Sequence, residues 1–91
     1  MTKSKLEIYK DKPVIIRTAV YHYTGRLVGW DDSFLHLEDA AWAADCGRWA
    51  EALKTGKLVE VEPYPGGCLV AREAIGDITE WPHDLPREVI E

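Results

Sequence analysis

The chain has 91 residues, of which 46% are hydrophobic, and this predicts one folded domain, because a disordered chain has too few apolar residues to form a core. No apolar run approaches the ~20 residues of a membrane-spanning helix, and no apolar signal-peptide core follows the basic first residues, so we expect a soluble, cytoplasmic protein without membrane contact. The net charge of −5 disfavours long-range attraction of nucleic acid.

The first half of the chain is predicted to form three strands joined by short turns. β-Branched and aromatic residues, which fit a pleated and half-buried surface, dominate three segments: 14–21, 24–31 and 34–38. Gly25 and Gly29 suit sharp bends within a strand. Residues 31–33, Asp-Asp-Ser, are of turn type because their side chains can hydrogen-bond the local backbone.

Residues 40–57 are helical in composition. Four apolar residues recur at i, i+4, i+7 and i+11, which predicts one face of a helix: Trp42, Cys46, Trp49 and Leu53. The alternative is a shorter helix that is capped by Asp45 and runs to Lys54. In either case Gly56 is well suited to follow the last turn. The two tryptophans are interpreted as core residues or as contacts for a partner.

The second half of the chain is predicted to add three strands, at residues 58–62, 68–72 and 75–81. Two prolines and two glycines make residues 63–67 a strong turn. Residues 82–91 are charged and contain two prolines, which end regular strand pairing. We expect this last segment to be a tail.

The sequence contains no recognisable catalytic or cofactor-binding motif. The three histidines are scattered, and neither H-E-x-x-H, G-x-S-x-G nor a phosphate-binding loop is present. Cys46 and Cys68 form no C-x-x-C pair, so we predict two free, buried thiols rather than a disulfide or a metal site. We expect a protein that is not an enzyme and that has neither a cofactor nor a metal.

Two segments resemble the motifs of one family. Gly25-x-Leu27-x-x-x-Asp31, followed by apolar residues to Leu37 and then Asp39, is similar to the first motif of Sm-like proteins, with a spacing closest to bacterial Hfq. Residues 70–78, V-A-R-E-A-I-G-D-I, resemble the second Hfq motif, V-Y-K-H-A-I-S-T-V. The resemblance implies a mostly β, SH3-type barrel of five strands in one domain spanning 1–91. It also implies a short N-terminal helix, with the helical segment at about 40–57 inserted between strands three and four.

The resemblance further implies a ring of identical subunits. Sm-like subunits pair the fourth strand of one copy with the fifth strand of the next, in rings of five to seven. Pairing of this kind removes the exposed strand edges of a small barrel. Three residues would lie at or near that seam: Val70, Ile75 and Ile78.

Single-stranded RNA is the ligand that the resemblance implies. On one face of the ring the aligned pocket positions are Asp32, Ser33, Arg72 and Glu73. Arg72 keeps the cation, whereas Ser33 replaces the stacking aromatic residue and Glu73 introduces an anion, so two elements of the usual uridine pocket are missing. Phe34 follows Ser33 directly.

The second ring face would be formed by the approach to the second strand. Four residues there could stack on bases or pair with them: Tyr21, His22, Tyr23 and Arg26. The alternative is an ordinary solvated surface.

Charge distribution separates two hypotheses for function. Residues 1–30 carry six basic and two acidic residues, a net of +4, whereas residues 31–91 carry five basic and fourteen acidic residues, a net of −9. Basic residues collected on one ring face would favour an RNA-binding ring. Acidic faces would favour a structural ring that binds no nucleic acid and contacts a protein partner through Trp42 and Trp49. A single SH3-like domain without a ring is a third possibility.

Overall fold

The computed structural model describes residues 5–90, and over this range the fold is mostly β with one α-helix. The six strands are β1 (Pro13–Thr18), β2 (His22–Trp30), β3 (Phe34–Asp45), β4 (Val59–Pro63), β5 (Cys68–Ala71) and β6 (Ile75–Glu80). The helix α1 spans Trp49–Thr55, and two 3-10 turns span Lys5–Tyr9 and Arg72–Ala74.

The strands form one antiparallel sheet in the order β4-β3-β2-β1-β6, and β5 also pairs with β3. The 12-residue strand β3 accommodates both partners, because its first four residues pair with β5 and residues 41–45 pair with β4. All six predicted strand segments are therefore confirmed, with shifted ends. The count of five strands is wrong, since β4 and β5 are separate strands that share β3.

Gly25 lies where the β2–β3 ladder changes register. The register shifts between Thr24 and Arg26, opposite Asp39, whose φ is +51°. A Cβ on Gly25 would lie 2.9 Å from the Cβ of Leu37 and 3.2 Å from the carbonyl oxygen of Glu38. Bulges of this kind bend a strand and increase its twist. A second shift follows between Leu27 and Gly29, so both glycines coincide with irregularities, as predicted.

Two apolar clusters lie on opposite sides of the sheet. The first, here called the strand cluster, consists of buried strand residues: Val14, Ile16, Leu27, Leu35, Leu37, Ala40 and Val70. The second, called the helix cluster, joins the sheet to α1 and to the C-terminal segment: Ile15, Ala41, Ala43, Cys46, Ala52, Leu58, Val61 and Trp81. Successive strand side chains point to opposite faces, which explains why Ile15 belongs to one cluster and its two neighbours to the other.

Residues 40–45 belong to β3, so the prediction of one helix through residues 40–57 is wrong. Ala41 and Ala43 are buried in the helix cluster, while Trp42 lies between them and points to the other face. Alanine favours helices, but pairing with β2 on one side and β4 on the other outweighs that weak preference. Trp42 and Trp49 therefore do not share a helix face.

The shorter helix is the one that forms. Asp45 does not cap it, because Oδ1 of Asp45 accepts a hydrogen bond from the Gly47 amide at 2.9 Å, outside the helix. The helix ends at Gly56, as predicted, where φ is +77° and the amide donates to the Ala52 carbonyl at 2.8 Å. A left-handed residue at this position favours glycine. Among residues 5–90, no helix is long and apolar enough to cross a membrane.

The segment after β6 packs against the rest of the molecule. Trp81 is buried in the helix cluster, and His83 Nε2 lies 2.6 Å from the carbonyl oxygen of Leu53 in α1. Ile90 and Val61 exchange backbone hydrogen bonds of 2.7 and 3.0 Å. The residues that were expected to be a tail thus cover α1 and the outer edge of β4.

The N-terminal lead-in forms one short 3-10 helix. Lys5–Tyr9 form the turn, and Leu6 and Tyr9 pack against the strand cluster. A turn of this length places two apolar side chains on the sheet and leaves the charged residues exposed.

Candidate functional site

The turn between β2 and β3 brings Ser33 and Arg72 together. Oδ1 of Asp31 accepts hydrogen bonds from the amides of Ser33 (2.7 Å) and Phe34 (2.8 Å), and these bonds hold the pKa of Asp31 below its ordinary value. Arg72 Nη1 donates to the Asp31 carbonyl oxygen at 2.7 Å, and its amide donates to the Ser33 carbonyl oxygen at 2.9 Å. Phe34 is 41% exposed beside them. A guanidinium and an exposed aromatic ring therefore share this turn.

Arg26, expected on the second RNA face, is neutralised by acidic neighbours. Its Nη2 lies 3.1 Å from Oε2 of Glu38 and 3.6 Å from Oδ2 of Asp39. Asp39 also accepts a hydrogen bond from Nη1 of Arg87 at 3.0 Å. These side chains are partly exposed, so the network contributes little to stability. Its importance is that the charge of Arg26 is already compensated within the chain.

The two tyrosines adjoin Trp42 rather than Arg26. The rings of Tyr21 and Trp42 have centroids 4.9 Å apart and are tilted by 58°. Tyr23 is directly opposite Trp42 in the β2–β3 ladder, is half-buried against the strand cluster, and has a pKa raised by this burial. No hydrogen bond or ring contact among residues 5–90 joins Arg26 to either tyrosine. The predicted second RNA face is thus divided into an aromatic part and a neutralised ionic part.

Trp49 lies on the other side of the sheet, where it contacts a side chain that sequence reasoning missed. Cζ of Arg17 is 4.1 Å from the centroid of the Trp49 ring. Nε of Arg17 donates to both carboxylate oxygens of Asp77 at 2.9 and 3.0 Å, and Nη2 donates to Oδ2. The hydrogen bonds from Arg17 lower the pKa of Asp77. Because β1 and β6 are distant in sequence, no local pattern indicates this pair.

His22 and Cys46 form a second contact near Trp49. The Sγ of Cys46 is 3.4 Å from Nε2 of His22, and the His22 ring stacks on Trp49 with a centroid distance of 5.9 Å. Burial raises the pKa of Cys46 and lowers the pKa of His22. Both groups are therefore neutral near pH 7, whereas a nucleophilic cysteine needs a thiolate. This pair packs and does not form an activated nucleophile.

The cysteines and the acidic side chains form no metal site within the described range. Both cysteines are free, as predicted, although Cys68 is only half-buried. Among residues 5–90, no group of three or more histidine, cysteine, aspartate or glutamate side chains is placed to hold a metal ion.

The predicted seam residues lie together along the strand cluster. Val70 is buried in it, and Ile75 and Ile78 pack against it partly buried. Within residues 5–90, β5 pairs with β3 alone and β6 with β1 alone. Each of the two strands therefore has one edge that is free to pair with another chain.

No protein-family model matches the chain, and no similar protein is found among the curated proteins. The Sm-like relationship stays a prediction that depends on two segments of the sequence. The first of these spans β2 and β3, and the second spans β5 and β6.

Proposed function

We propose that the protein is an Sm-like, SH3-type barrel domain that assembles into a homo-oligomeric ring and acts as a non-enzymatic scaffold for protein partners. The observation that carries the proposal is the pairing of three arginines with carboxylates. Arg17, Arg26 and Arg87 are each held by a carboxylate of the same chain. A cation that is already paired with a carboxylate is less available to a phosphate group, and this favours a scaffold over an RNA-binding ring.

The strand arrangement supports the ring. The path β6-β1-β2-β3-β5 runs through all strands that carry the two family-like motifs, and it ends in two free edges. If β5 of one copy pairs with β6 of the next, both edges are satisfied and no open edge remains for aggregation. Leu69, which is 61% exposed on β5, would lie next to this junction.

The proposal is tested by a solution mass from light scattering at two salt concentrations, with fluorescent single-stranded RNA in a parallel sample. We expect five to seven times the chain mass of 10.3 kDa and no RNA binding at low salt. A mass of one chain would reject the ring. Salt-sensitive RNA binding would reject a scaffold that binds no nucleic acid.

RNA binding remains the second candidate because of Arg72. Among residues 5–90, Arg72 takes part in no ion pair, and it shares its turn with the exposed ring of Phe34. A cation beside an aromatic ring is the minimum platform for an unstacked base. For this candidate, Arg72→Ala should weaken RNA binding at least tenfold, while the control Arg48→Ala, which removes an exposed cation elsewhere, should not.

A further inference from the structure

A groove beside Trp42 combines an indole with two carboxylates. It has a volume of about 350 Å³ and is lined by Trp42, Glu60, Glu62, Val89 and Ile90. Glu62 is directly opposite Trp42 in the β3–β4 ladder, so the two side chains are cross-strand neighbours on one face. The groove therefore has an aromatic wall, an acidic wall and an apolar end.

Within residues 5–90, no ion pair neutralises the acidic wall. The ion pairs among residues 5–90 involve Asp77, Glu38 and Asp39, and none involves Glu60 or Glu62. Both glutamates are exposed. The groove thus presents two negative charges next to a ring face that attracts cations.

The aromatic wall is held in place by its neighbour. Tyr21 is 40% exposed, and its ring packs on Trp42 at 4.9 Å. A fixed ring loses less conformational freedom on binding than a mobile one. Trp42 is therefore an organised surface rather than a loose side chain.

The same chain shows what chemistry this combination holds. On the opposite face of the sheet, the guanidinium of Arg17 lies over the ring of Trp49 while it donates to the carboxylate of Asp77. At the groove, Trp42 takes the place of Trp49, and Glu60 and Glu62 take the place of Asp77. The residue types at the groove thus match those that hold an arginine side chain on the opposite face.

We propose that the groove binds an arginine side chain that a basic segment of a partner protein presents. The guanidinium stacks on Trp42 and donates to Glu60 and Glu62, while its methylene stem lies along Val89 and Ile90. Arginine fits better than lysine because its planar group stacks and donates in a fork. The inference rests on the proposed role in protein interaction, but it does not require the ring.

The experiment measures fluorescence anisotropy of a labelled peptide in which two arginines are spaced by glycines. Matched peptides carry lysine or citrulline, the neutral isostere, in place of arginine. We expect saturable binding of the arginine peptide with one site per chain. Affinity should be at least tenfold lower for citrulline, lower but measurable for lysine, and reduced by added salt. Equal binding of the arginine and citrulline peptides would overturn the proposal.

Variants locate the site. The double change Glu60→Gln and Glu62→Gln is isosteric and exposed, and it should reduce affinity at least tenfold. The control Glu51→Gln with Glu80→Gln removes the same charge from two other exposed positions and should change affinity less than twofold. Trp42→Phe should retain part of the binding and Trp42→Leu should abolish it, with unfolding curves confirming that each variant is folded. Equal losses in the site and control doubles would show non-specific charge attraction and overturn the proposal.

Light scattering of the same samples separates this inference from the proposed function. A ring-sized mass without arginine-peptide binding would reject the arginine site and leave the proposed scaffold function in place. A single-chain mass with arginine-specific binding would reject the ring and support the arginine site. If the Glu60/Glu62 double change strengthens the binding of single-stranded RNA, the two carboxylates repel the true ligand. This result would overturn the proposal that the groove binds arginine.

Discussion

The strand cluster and the helix cluster lie on opposite sides of the sheet and differ in the size of their side chains. Branched aliphatic residues make up nearly all of the strand cluster. The helix cluster combines three alanines and a cysteine with three branched aliphatic residues and the large ring of Trp81. Small side chains let α1 approach the sheet closely. The strand cluster should therefore be sensitive to lost volume, and the helix cluster to added volume.

The largest effect is expected in the strand cluster. Leu37 is fully buried, so Leu37→Ala should lower the free energy of unfolding by about 3 kcal/mol through lost burial and a residual cavity. Urea unfolding gives this value. The control is Ile8→Ala, which also removes three carbons but at a position that is 63% exposed, and it should cost less than about 0.5 kcal/mol. Comparable losses at the two positions would contradict the placement of Leu37 in a core.

The helix cluster should respond to the opposite change. Ala43 is buried in contact with that cluster, and Ala43→Leu should destabilise the protein by about 1–3 kcal/mol because the added carbons displace α1. Ala44 is the adjacent residue, points to the other face and is only half-buried. Ala44→Leu should therefore change thermal stability far less, and a larger loss at Ala44 would reverse the assignment of faces.

A pH effect near pH 6 should arise from His22, on the helix side of the sheet. Burial holds the pKa of His22 below its ordinary value, so near pH 6 the unfolded chain binds more protons than the folded chain. Stability is then fully present above the ordinary histidine pKa and falls as the pH decreases below it. The carboxyl groups whose pKa is lowered, Asp31 and Asp77, act in a more acidic range, and Cys46 acts above neutral pH.

Urea midpoints at pH 7.5 and pH 5.5 test this pH effect. The wild-type protein should be less stable at pH 5.5, and His22→Gln should show a smaller difference between the two conditions. His36→Gln is the matched control. His36 is also half-buried, but it lies in the part of β3 that pairs with β5, and its variant should retain the wild-type difference. An undiminished difference in His22→Gln would assign the pH dependence to other groups.

The smallest effect concerns β4, which contributes Val61 to the helix cluster. Glu60 has a φ of +55°, a conformation that costs a residue with a side chain about 1 kcal/mol. Glu60→Gly should therefore be neutral or stabilising by up to about 1 kcal/mol, whereas Glu62→Gly should cost about 0.5–1 kcal/mol through lost backbone restriction. Thermal unfolding of the two variants compares them directly. Equal destabilisation would show that Glu60 is not strained.

Most of the strands that form the strand cluster could be predicted from the sequence. Alternating apolar residues and the Asp31 turn predict β1, β2 and the start of β3 because these contacts are local. The helix cluster could not be predicted, because it depends on contact between Trp81 and Ile15, which are distant in sequence. It also depends on alanines whose preference for a helix is outweighed by strand pairing.

The candidate sites divide in the same way. The neighbourhood of Ser33 and Arg72 follows from aligned motifs, and the structure brings the two residues together. The groove at Trp42 was not predicted, because the predicted helix at residues 40–57 would place Trp42 away from Glu62. In the structure, strand pairing places the two residues side by side. The ion pair of Arg26 with Glu38 was not predicted because it depends on the β2–β3 register.

The pairing of β1 with β6 has a kinetic consequence. Arg17 and Asp77 are 60 positions apart, whereas β1, β2 and β3 are joined by short turns. The local meander needs only short loops, whereas the pairing of β6 with β1 must close a long loop, which slows folding. If the Arg17–Asp77 pair forms after the transition state, its loss would leave the folding rate nearly unchanged and accelerate unfolding. The contact between the first and last strands would then act on the unfolding rate rather than on the folding rate.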